Sequence, residues 1–134
     1  MTIELALKKE LKSNAAVSAL AGREIYNGIL DQDARFPAVS IHVTDEIPVG
    51  AFTSSSGLRH LAIQVSCWGE NYNDARALAS AVVSALRDKM DEKVGGASGV
   101  TVQWINYTGQ GADIYEHQSG LHHVPLEFDV WYTE

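Results

Sequence analysis

Hydrophobic positions recur with two different periods along this chain, and the change of period marks its elements. Ile3, Leu7 and Leu11 return every fourth residue, one stripe of a helix. Thr2 suits its N-cap, Glu4 its first turn, and Lys8, Lys9 and Lys12 its far end. Ser13-Asn14 interrupts, and the run AAVSAL adds a short helical turn that Gly22 stops. REIY, residues 23–26, is a short strand candidate, and 27–37 reads as a loop punctuated by Asn27-Gly28 and Pro37. From Ala38 the period becomes two. Val39, Ile41 and Val43 take one side of a strand, and Ser40, His42 and Thr44 the other.

One phrase occurs twice. SGLRHLAIQVSCW begins at Ser56 and SGLHHVPLEFDVW at Ser119, 63 residues later. In each, a His is followed by apolar residues at alternate places and then by a Trp. Leu61, Ile63, Val65 and Cys67 form the apolar face of the first copy. Val124, Leu126, Phe128 and Val130, continued by Tyr132, form that of the second. The opposite faces carry His60, Ala62, Gln64, Ser66 and Trp68, and His123, Pro125, Glu127, Asp129 and Trp131. Internal duplication and convergence of two strands with equal tasks both account for the match. Pro125 suggests an edge or a bulge. The polar faces read as solvated surface or as a subunit contact.

Between the copies, Ala75, Leu78, Ala79, Val82, Val83, Leu86 and Met90 predict a helix over about 73–90. Asn71 or Asn73 caps it, Asp74 sits in its first turn, and VGGASG ends it. Val100, Val102 and Trp104 then share one face of another strand by alternation. The expected class is α+β: an antiparallel sheet of two β-hairpins packed on one long helix, with an N-terminal helix, in a single domain over residues 1–134. Loops 49–57 and 109–120 form the hairpin tips.

Charge and composition narrow the functional range. Ten Lys and Arg stand against 17 Asp and Glu, a formal net charge of −7, which argues against binding the nucleic-acid backbone. One cysteine, Cys67, cannot make an internal disulfide, so a reducing compartment is expected. No signal-peptide pattern and no membrane-length apolar run occurs, so a soluble, cytosolic chain with no membrane partner is expected.

Candidate chemistry is sparse. Of five histidines, His42, His60, His117, His122 and His123, only His60 and His123 share a face in a way that brings two ligands together, and no HxH, HExxH or Cys/His pairing is present. Cys67 alternates onto the apolar face, where it acts as a small hydrophobe. GASG and GQGAD lack the setting of a phosphate loop. No catalytic, metal-binding or cofactor-binding residue is therefore assigned, and no cofactor is expected. These residues taken alone lead to binding or assembly.

A resemblance goes further. IYNGILDQDARFPAVSIHV, the step VSCWGENY into the long helix, and GLHHVPLEFDVWY resemble the tail-completion family of long-tailed bacteriophages, small head–tail joining proteins similar in fold to tail terminators. The resemblance covers nearly the whole chain. It implies a homo-oligomeric ring, typically a hexamer, at the head-proximal end of the tail. The implied partners are the tail-tube protein and the head connector, with DNA only passing through the lumen. It implies a virion location, with assembly in the host cytoplasm. The subunit or partner contacts expected on this basis are Phe52, Thr53, Ser54, Ser55, Trp68, Gln110, Asp113, Tyr115, His117 and Trp131. The rival readings are another tube or connector component of the virion, or a small cytosolic enzyme or ligand-binding module.

Overall fold

The computed structural model describes residues 2–47 and 57–133. Helix α1 (Ile3–Ser13) begins as its pattern requires, with Thr2 Oγ1 accepting from the Leu5 amide at 3.3 Å. Asn14 ends α1 and starts α2 (Ala15–Ala21): its side-chain oxygen accepts from Ala16 and Val17, both at 3.1 Å. Gly22, at φ +60°, closes α2. The strands are β1 (Ile25–Asn27), β2 (Ala38–Ile47), β3 (Leu58–Gly69), β4 (Met90–Val94), β5 (Val100–Gln110), β6 (Ile114–Glu116) and β7 (Leu121–Thr133), with α3 (Tyr72–Leu86) between β3 and β4.

The class is α+β, but the picture of two hairpins on one long helix is replaced by a single mixed sheet beneath three helices. The strand order is β1-β2-β3-β7-β5-β4, with β6 beside the start of β7. β1 runs parallel to β2, and the other pairs are antiparallel. The two copies of the repeated phrase are each other's neighbours at the centre. Leu61 faces Val130, Ile63 faces Phe128, Val65 faces Leu126 and Cys67 faces Val124. All eight are at most 4% exposed and lie in one core with Leu78, Val82 and Leu86 of α3 and Leu7 and Leu11 of α1. The two inward stripes of β3 and β7 thus carry the middle of the core.

Three further differences have local causes. The helix expected over about 73–90 spans Tyr72–Leu86, and Met90 lies in β4. Arg87 turns extended and Asp88 takes φ +60°. The Asp88 amide then donates to the Ile105 carbonyl at 3.0 Å, so β5 captures the chain as an added strand. Pro125 sits in a central strand, not at an edge. Its carbonyl accepts from Gly111 at 3.0 Å, on the side where β5 has ended at Gln110↔Leu126 and β6 begins at Ile114↔His123. The missing N–H therefore falls in a gap between strands. Finally, the second expected loop contains β6.

Asn71 is the cap of α3, its Oδ1 accepting from Asp74 N at 2.8 Å while its amide donates to the Asp74 carboxylate at 2.8 Å. Gly69 makes the turn into this helix fit. A Cβ there would stand 2.8 Å from the Ala75 nitrogen.

Candidate functional site

The helices cover one face of the sheet, and among the described residues no helix lies on the other, where Ser40, Ser66 and His60 are buried among their neighbours while Glu127 is exposed. Cross-strand register orders that open face into rows. At its centre, His42, Gln64 and Glu127 line up, flanked by Asp45, Ala62, Asp129 and Asn106 on one side and Ser40, Ser66 and Pro125 on the other. No lysine or arginine stands in these rows. Beyond the acidic side lies an apolar row crossing five strands: Ile47, His60, Trp131, Trp104 and Met90. At the opposite end stand Ala38, Trp68, His123 and Ile114.

The repeated phrase now has a physical meaning. Because its copies run antiparallel, the His of each meets the Trp of the other. His60 stacks on Trp131 with ring centroids 3.8 Å apart, and His123 stacks on Trp68 at 4.1 Å. The two stacks sit about 26 Å apart along the strands, eight residues at the usual rise. His60 and His123 are thus separated, not brought together as ligands. The Trp68 indole donates to Ser40 Oγ at 3.1 Å, and the His60 ring lies 3.4 Å from the Asp129 carboxylate. His123 is held below the usual histidine pKa by burial, which outweighs the pull of Glu116 and adds to the push of His42.

Large exposed side chains mark the apolar row. Met90 is 57% exposed, Ile47 39% and Trp104 36%. Trp104 corrects the reading by alternation, which placed it inward with Val100 and Val102. A bulge between Val102 and Trp104 rotates the strand, so Val102 is buried while Trp104 faces out beside Trp131. Nothing in the sequence of β5 signals that bulge. The charged run after Leu86 carries no strand signal either, so the exposure of Met90 in β4 follows only from its pairing with β5.

Gln110, Asp113, Tyr115 and His117 gather around the first turns of α3. Arg76 donates to Gln110 Oε1 at 2.6 Å, Gln110 donates to Asp113 Oδ1 at 2.6 Å, and the Tyr72 hydroxyl donates to Asp113 at 3.3 Å. Tyr115 packs on His122, with centroids 4.8 Å apart, and edge-on to His117 at 4.9 Å. This segment is tied to its own subunit through polar side chains, with Ile114 and Tyr115 exposed on β6. Phe52, Thr53, Ser54 and Ser55 lie outside the described residues.

Little here resembles a reaction centre. Among the described residues, no group of three or more His, Cys, Asp or Glu is placed to hold a metal ion, and no helix is long and apolar enough to cross a membrane. Cys67 is fully buried, and burial pushes its thiol far above the usual range, away from nucleophilic use. An open cleft of about 890 Å³ lies between the start of α1 and the ends of β2, β3, β5 and β7, with Ile3, Leu61 and Tyr132 in its lining.

Comparison with known proteins adds two findings. A family model described as Tail completion protein gp17 matches residues 6–133. A solved chain from "Virion of native gene transfer agent (GTA) particle" is similar in fold, with a TM-score of 0.72 at 15% identity, covering 98% of this chain and 95% of that one. No curated protein matches the sequence.

Proposed function

Because the chain belongs to the tail completion protein gp17 family, and is thus a structural protein of the phage tail, we propose that it forms a closed ring, a hexamer, at the head-proximal end of that tail. The ring ends tail-tube growth and joins the tail to the head connector. Its partners are sister copies, the tail-tube protein and the connector, with DNA only passing through. The observation that carries this reading is the extent of the family match, which leaves only residues 1–5 and 134 outside it.

Two physical features support it. The net charge of −7 lets DNA slide through a lumen without adhering. The open sheet face offers large apolar side chains on a rigid platform, which suits assembly better than catalysis. Phage particles produced without this protein test the proposal by electron microscopy. Overlong tails indicate termination, and tails of normal length lying beside filled heads indicate joining. Intact, infectious particles in normal yield overturn both roles.

A further inference from the structure

We propose that the open sheet face of one copy docks on the outer face of α1 of the next copy, so that the ring is built by a head-to-tail contact. This rests on the ring reading above and names the surfaces that make it.

α1 packs over the core face against β1, β2 and β4, so its outer stripe and the open sheet face point in different directions, with Leu5 at the rim of the cleft between α1 and the strand ends. That placement is what a repeating, heterologous contact requires. α1 buries Ile3, Ala6, Leu7 and Leu11. It turns Leu5, Lys8, Lys9 and Lys12 the other way, at i, i+3, i+4 and i+7, as one stripe. Leu5 is 51% exposed. Among the described residues, none of the three lysines has an ion-pair partner.

The sheet face carries the complementary arrangement. Its apolar row ends in Trp104 and Met90, and the next two rows hold Asp129, Asp45 and Glu127 with no cation among them. The dimensions agree. Leu5 and Lys12 are about 10 Å apart along the helix, and the Trp131 and Glu127 rows about 13 Å apart along the strand. A flexible lysine stem spans the difference. Two sheet faces packed on each other would instead bring Glu127 and Asp129 close to their own copies, an unfavourable like-charge contact. Charge thus selects α1 over a second sheet face as the occupant.

Cross-linking of the full chain tests this. The L5C/M90C double variant is assembled and treated with a short bismaleimide, and the products are separated on a denaturing gel. Cys67 stays silent because it is buried. The expected result is a ladder of covalent oligomers up to the ring size in the double variant, with neither single variant giving more than monomer. Rings seen by microscopy without that ladder overturn the proposed contact while leaving the ring intact. A single variant that cross-links to dimer shows a symmetric contact and also overturns it. Monomers alone, with or without tail tubes, overturn the ring reading itself. As a second arm, K9E/K12E raises the subunit concentration needed for assembly by about tenfold or more, and D129K/E127K in the same chain restores it. Circular dichroism confirms that each variant is folded.

Discussion

Phe128 and Glu127 are adjacent in β7 and face opposite ways, so they separate the core face from the open face within one strand. Phe128 is 2% exposed, sits opposite Ile63 and meets Tyr107 with ring centroids 5.3 Å apart. Truncating a buried phenylalanine to alanine costs about 3–5 kcal/mol, because transfer and cavity terms add. Loss of the tilted Tyr107 pair places Phe128→Ala in the upper half of that range. A domain of this size holds about 5–15 kcal/mol in all. With a urea m-value of about 2 kcal/mol/M, the midpoint falls by about 2 M. Glu127→Ala, on an exposed side chain, shifts stability by no more than about 0.5 kcal/mol. Urea titration followed by tryptophan fluorescence and by circular dichroism measures both. A Phe128→Ala loss below about 1 kcal/mol, or a Glu127→Ala loss above about 2, would show that β7 is in the wrong register and refute the division of the sheet into covered and open faces.

Asn71→Ala removes the cap of α3 and lowers stability by about 1 kcal/mol, whereas Asn71→Ser, which still accepts from the Asp74 amide without setting a second carboxylate beside Asp74, retains most of it; thermal melts of the two variants check this. The depressed pKa of His123 has a definite sign. The unfolded state binds this proton more readily, so the stability contribution is complete above the ordinary histidine pKa and declines as pH falls below it towards the folded value. His123→Phe, which keeps a ring against Trp68, flattens that acid limb in a stability–pH profile. Cys67 fails to react with a thiol reagent in the native protein and reacts fully in urea; rapid labelling of the native chain contradicts its burial.

Much of this fold is legible in the sequence where the governing interactions are local. The α1 stripe, the Asn14 interruption, the Gly22 stop and the inward residues of β3 and β7 are all where periodicity puts them. Misreadings arise where a partner strand decides. Met90 continues the helical spacing, yet β5 takes the chain after Asp88 and the helix ends at Leu86. Trp104 continues the alternation, yet a bulge against β7 turns it out. The repeated phrase is visible at once, but its meaning depends on an antiparallel pairing between segments far apart in the chain, which no local pattern encodes. For the candidate contacts, Trp68 and Trp131 were findable as aromatic ends of polar faces. Their companions Ile47, Trp104 and Met90 emerge only from the register.

The placement of β7 also bears on how the protein is made. Residues Leu121–Thr133 emerge from the ribosome after every other strand, yet they belong between β3 and β5. Until they arrive, the nascent polypeptide holds two unfinished half-sheets, each with an inner rim waiting for the same segment. Sheet closure therefore waits for the last strand, and a nonsense codon before Leu121 leaves one chain carrying two unjoined half-sheets instead of a slightly shortened molecule. The open rims of such intermediates are prone to pair with other nascent chains.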